Sequence, residues 1–261
     1  MKNKMQITLR SVLLAASLVL LPAGAAQASE EAELKHVDWS FDGPFGTFDR
    51  AQLKRGFQVY REVCAACHSI KFVSYRNLSE AGGPEFTEAE VKTIAAASNV
   101  TDGPNADGEM FERPAEPKDR IVKPFPNDNA ARAANNGAMP PDLSLMTKAR
   151  KNGPDYVYSL LTGYADAPED VVMADGMSFN HYFPGQQIAM PQPLSDDQVT
   201  YEDGTQATLD QMAQDVTAFL TWTAEPKLED RHKLGFNVII FLTVLAGLLF
   251  ATYKRIWRDQ H

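Results

Sequence analysis

The chain of 261 residues has only two cysteines and five histidines. So few cysteines exclude a framework of several disulfides, and the lack of a second cysteine pair excludes a four-thiolate zinc site. Positive charge is also short. With 25 Lys and Arg against 34 Asp and Glu, the formal charge is −9, which argues against a nucleic-acid partner. No internal repeat and no second copy of any cysteine motif suggests duplication. Long apolar runs are confined to the two ends of the chain.

The two cysteines fall in the pentapeptide Cys64, Ala65, Ala66, Cys67, His68. This is C-x-x-C-H, the attachment signal for a c-type haem. Thiols three residues apart on a helix face one porphyrin edge and form thioethers, and the adjacent imidazole reaches the iron. The bland readings fit poorly. A thioredoxin-like C-x-x-C should follow a strand in a βαβ unit, and no such unit is legible here. One covalent haem c is therefore expected on Cys64 and Cys67, with His68 as a ligand to iron.

Lys2, Lys4 and Arg10 precede an apolar core at 11–21, and Ala26, Gln27, Ala28 form an A-x-A cleavage site. Residues 1–28 therefore read as a signal peptide, because that core is too short to cross a bilayer. At the other end, residues 235–253 carry no formal charge and would span about 28 Å as a helix. Tyr253 and Trp257 sit where interfacial aromatics belong, and Lys254, Arg255 and Arg258 follow. The organisation read from this is a signal at 1–28, an external haem domain at 29–228 and a membrane anchor at 229–261. The expected location is a bacterial inner membrane, with the haem domain in the periplasm and the C-terminus in the cytoplasm.

Removing the signal takes the formal charge from −9 to −12, and removing the tail from Arg231 onward takes it to about −16. Such a field would steer a basic redox partner. The fold expected is mainly α: a cytochrome c-like helical domain with long loops, plus one C-terminal transmembrane helix. A first helix starts near Asp49, capped with Gln52 three residues on, and runs to the haem motif. Gly56 in its middle makes sense if another helix crosses closely there. The crossing partner is the helix at 208–222, capped by Thr208 and Gln211, with an apolar stripe that includes Met212, Val216 and Leu220. A shorter helix is expected at 155–161, after the Gly153, Pro154 break. The stretch 79–128 reads as surface loop after one helix near 88–97.

An open sixth position would bind ligands or do catalysis, whereas His plus Met makes an electron carrier of raised potential. Two methionines look alike locally: Met139 in Ala-Met-Pro and Met190 in Ala-Met-Pro. Spacing does not choose between them. Met146, Met173, Met177 and Met212 read as core filler or surface. His36 and His181 stay open as alternative sixth ligands.

Longer segments carry a resemblance. Arg55 to Tyr60 as RGFQVY, 131–143 as ARAANNGAMPPDL, 155–164 as DYVYSLLTGY, Tyr182 to Gln186 as YFPGQ with Ile188 to Met190, and 203–208 as DGTQAT are similar to the cytochrome c1 family. Together with the haem motif and the anchor, the likeness covers nearly all the mature chain. It implies that the sixth ligand is Met190, since the family often has Leu at the position of Met139. It also implies that Arg150 binds a propionate, that Asn135 and Tyr156 belong to the pocket, and that Pro140 and Pro141 wall the haem. Some bacterial relatives have an extra cysteine pair in the ligand loop, which is missing here.

The resemblance implies the haem subunit of a membrane quinol:cytochrome c reductase, taking one electron from a Rieske iron–sulfur protein and passing it to a basic cytochrome c. Cytochrome b and the Rieske protein are the implied partners, in a complex that is a dimer. On its own such a chain is not an enzyme and has no catalytic residues. Two alternatives remain at this point: a tethered cytochrome serving a terminal oxidase, and a haem sensor or peroxidase with an open sixth site.

Overall fold

The computed structural model describes residues 32–259, so the expected signal peptide at 1–28 lies outside the described residues. Helix α1, Arg50–Glu62, begins where the Asp49 carboxylate accepts hydrogen bonds from the backbone N–H of Ala51 (2.9 Å) and Gln52 (3.2 Å). That cap satisfies donors a helix start leaves without partners. Leu53, Gly56, Phe57 and Tyr60 recur at helical spacing and face the core. The helix runs directly into a 3-10 turn at Cys64–Ala66, so the haem motif sits on a tight turn at its C-terminal end and not on a continuous α-helix.

Helix α2, Glu88–Ala96, carries a capping box between Thr87 and Glu90. After it the chain forms a hairpin from β1, Asn99–Asp102, and β2, Phe111–Pro114, paired antiparallel with Val100 opposite Arg113. This corrects the expectation of plain loop after the 88–97 helix. Each strand has four residues, too short for alternation to show. Arg113 ties the hairpin together, reaching Asp102 (2.5 Å) and Asp119 (2.7 Å).

Two further helices follow: α3, Asp128–Ala134, and α4, Gly153–Leu161. Sequence reading began α4 at Asp155, but Gly153 and Pro154 form its first turn, which Pro tolerates because that N–H needs no partner. Asn152 turns the chain into it at φ 54°. A two-residue ladder then pairs β3, Ser178–Phe179, with β4, Gln187–Ile188.

Helix α5, Leu209–Ala224, starts at Thr208, whose hydroxyl accepts from Gln211 N (3.1 Å). It crosses α1 at Gly56, as expected, and is buried through most of its length. Asp215 on α5 is fully buried, and Arg55 of α1 grips it with Nε (2.9 Å) and Nη2 (3.1 Å). Around this crossing packs an aromatic core of Phe57, Tyr60, Phe219 and Trp222. Helix α6, Leu228–Trp257, contains the expected span. It is long and apolar enough to cross a membrane, and its apolar stretch is exposed.

Candidate functional site

The C-x-x-C-H turn lies at the edge of a cavity of about 440 Å³, within the range of cofactor sites. Val63, Cys64, Cys67 and His68 form one wall of it. The segment from α3 into α4 forms another, bringing Asn135, Pro140, Pro141, Arg150 and Tyr156. The loop after β4 adds Met190, so all nine residues read from the sequence as haem-binding border one cavity.

His68 is held from behind. Its Nδ1–H donates to the Pro141 carbonyl at 2.8 Å, which leaves Nε2 as the nitrogen free to ligate. Burial pulls the His68 ring below its ordinary value of 6.5, against the Pro141 hydrogen bond and the Asp142 charge, which favours the neutral imidazole a metal needs. Pro141 is itself fixed by its neighbour: Asp142 accepts from Ser69 Oγ (2.7 Å), Lys71 N (2.9 Å) and Ser144 N (3.0 Å). The first two of these bonds staple the segment after the haem motif to the one carrying the carbonyl.

Burial, with Cys67 adding to it, pushes the Cys64 thiol up to about 12. That is the opposite direction from the lowered value a redox dithiol needs. Among the described residues, no group of three or more His, Cys, Asp or Glu converges.

Both Met139 and Met190 border the cavity, and so does Met146, which sequence reading had set aside as core or surface. Met139 is 39 % exposed beside the prolines. Met190 is half-buried, and its backbone is anchored by the Tyr164 hydroxyl, which donates to the Met190 carbonyl (3.1 Å). His36 and His181 do not reach the cavity wall, which corrects their standing as alternative ligands. His36 pairs with Asp155 through Nδ1 (2.9 Å), and His181 lies edge-on against Phe179.

Arg150 lines the cavity at the surface, stacks over Tyr156 (6.0 Å to the ring centre) and makes no ion pair among the described residues. An unpaired guanidinium beside an apolar cavity fits a carboxylate-bearing ligand. Asn135 caps α3, its Nδ2 donating to the Ala131 carbonyl (2.7 Å). The remaining walls are apolar and went unread in the sequence: Leu143, Val157, Leu161, Ile188, Val216 and Leu220. Val216 and Leu220 belong to the stripe on α5, and their i, i+4 spacing puts them on one face without distinguishing a cavity wall from a helix contact. The donor set, the tautomer of His68 and the apolar walls all fit a haem c.

The Cytochrome C1 family model matches residues 39–260. The cytochrome c1 of Rhodospirillum rubrum is 50 % identical over 272 residues, covering 98 % of this chain and 99 % of that protein. A mitochondrial cytochrome c1 heme protein of Arabidopsis thaliana is 50 % identical over 234 residues, covering 90 % of this chain and 75 % of its own length. The cytochrome b/c1 of Bradyrhizobium diazoefficiens is 51 % identical over 242 residues, and this chain spans 35 % of it. On the motif, the cavity and these matches together, the chain belongs to the Cytochrome C1 family.

Proposed function

We propose that the chain carries single electrons from a Rieske iron–sulfur protein to a cytochrome c, as the haem subunit of a membrane quinol:cytochrome c reductase that includes cytochrome b. The observation that carries this reading is the convergence of Cys64, Cys67, His68 and Met190 on one apolar cavity. The chain is an electron-carrying subunit and not an enzyme on its own. A haem c bound there supplies a one-electron iron couple.

The protein's part is to hold and tune. Cys64 and Cys67 tether the cofactor covalently, and His68 offers Nε2 in an orientation set by Pro141. Met190 supplies a thioether, a soft donor that favours the reduced state and raises the potential. Pro140 and Pro141 restrain the wall on the histidine side. Leu143, Val157, Val216 and Leu220 keep water out, which keeps the environment's rearrangement small when charge changes. Arg150 pairs with a propionate, while Asn135 and Tyr156 complete the pocket.

The chain is membrane-anchored through α6. Residues 1–28 are the export signal, 29–228 the haem domain and 229–261 the anchor. This puts the haem domain in the periplasm of a bacterial inner membrane, with Lys254, Arg255 and Arg258 on the cytoplasmic side. The acidic surface suits a basic cytochrome c as acceptor, and the complex is a dimer.

The test is a pyridine haemochrome assay and redox titration of the wild type, Met190→Leu and Met139→Leu. One haem c per chain is expected, with the potential lowered in Met190→Leu only. A shift in Met139→Leu instead would reassign the ligand. Purification without cytochrome b would favour the terminal-oxidase alternative.

A further inference from the structure

Between the buried rings of Phe41 and Phe48 the chain makes a short loop, Asp42 to Thr47, and Phe45 at its tip is 75 % exposed. The loop is firmly built. Phe41 stacks on Trp39 (5.4 Å) and packs on Phe48 (5.1 Å), and a β-carbon on Gly46 would stand 2.3 Å from the Phe41 backbone. An aromatic held out of a rigid loop that far costs hydrophobic free energy unless something covers it.

What lies beside it is the anchor. Phe45 meets Phe236 of α6 edge to face at 6.0 Å, and His232 Nδ1–H donates to the Gly46 carbonyl at 3.2 Å. One turn earlier the buried Glu229 accepts from Arg50 Nη1 (2.7 Å), Arg50 Nη2 (2.9 Å) and Phe48 N (3.0 Å). Three consecutive turns of α6 are thus bolted to the loop and the start of α1. Phe236 is the second residue of the uncharged run, and Tyr253 and Trp257 mark its far end. From Phe236 to Tyr253 a helix rises about 26 Å, close to the roughly 30 Å of a bilayer's hydrocarbon core. Phe45 therefore stands at the level where hydrocarbon gives way to headgroups.

We propose that the 42–47 loop is a membrane-contact surface: Phe45 inserts between lipid headgroups beside Phe236, and the haem domain rests on the bilayer at a height and tilt set by the Glu229, His232 and Phe236 contacts. The occupant is lipid, because the exposed ring continues the face of a helix already embedded in lipid.

The test uses a nitroxide on Phe45→Cys in the full-length haem-loaded chain, where Cys64 and Cys67 are consumed by the haem, with Val172→Cys, 88 % exposed, as the aqueous control. Collision rates with oxygen and with a water-soluble nickel chelate are compared in phosphatidylcholine/phosphatidylglycerol vesicles, for the chain alone and for the chain purified with its accompanying subunits. The expected result is an oxygen-to-nickel ratio several-fold above the control in both preparations. A ratio equal to the control would place the loop in water and overturn the proposal. So would shielding from both reagents in the presence of the other subunits, since the occupant would then be protein. Adding Glu229→Ala to the labelled chain should lower the ratio toward the control, and an unchanged ratio would show that the anchor contacts do not set the height.

Discussion

A β-carbon on Gly56 would stand 2.0 Å from the carbonyl oxygen of Asp215, and 2.7 Å from the Phe219 β-carbon. The two backbones of α1 and α5 touch here with nothing between them. In an isolated helix Gly→Ala would gain about 1 kcal/mol. Here Gly56→Ala should lose about 1–3 kcal/mol, because the helices must separate. Denaturant unfolding of the haem-loaded protein checks the sign.

Arg55 and Asp215 lie on either side of that contact. The Asp215 carboxylate is fully buried and receives Arg55 twice and Gln211 Nε2 once (2.9 Å). Removing the arginine would strand a buried charge, so Arg55→Ala should cost about 3–5 kcal/mol. Pairing it with Asp215→Leu should recover part of the loss, measured as a double-mutant cycle.

Asp142 holds the Pro141 carbonyl on His68 by accepting three hydrogen bonds. Asp142→Ala leaves those donors without their partner and should destabilise the protein by about 1–3 kcal/mol. Asp142→Asn keeps an acceptor oxygen and should lose less. Thermal melts of both variants, followed through the haem absorption, give the comparison.

Carbon monoxide reports on the sixth position. Reduced wild-type protein should not bind it readily, whereas Met190→Leu should, as seen in the visible spectrum. Ready binding by the wild type would count against an electron carrier and for a sensor or peroxidase.

His36 donates to Asp155, and that hydrogen bond, with the Asp155 charge, raises the imidazole above its ordinary 6.5. Because the folded value is raised, the contact's stabilisation is complete below pH 6.5 and is lost as pH rises through the folded value. Proton NMR should show a His36 midpoint above 6.5 that returns toward it in Asp155→Asn.

The parts legible in the sequence were those encoded by neighbours along the chain. Cys64, Cys67 and His68 are set by a covalent spacing that no fold can alter. The caps at Asp49 and Thr208 are read within four residues, because a helix start needs donors satisfied locally. The anchor is read from run length alone, since lipid offers no partner for an unpaired backbone. The sixth ligand was different: residues near Met190 match those near Met139, both methionines border the cavity, and the preference for Met190 came only from the long segments shared with the cytochrome c1 family.

Tertiary structure decided whatever joins distant segments. The hairpin of β1 and β2 is stabilised by Arg113 with Asp102 and Asp119, ion pairs that leave no periodic trace. Tyr164 reaches the Met190 carbonyl across 26 residues, and Arg50 reaches Glu229 across 179. Sequence determined which chemistry the chain carries and that it is tied to a membrane. Three-dimensional packing alone decided how the histidine is aimed, what seals the cavity and how the haem domain meets its anchor. Those outcomes depend on distances of a few ångströms between residues that share no local pattern.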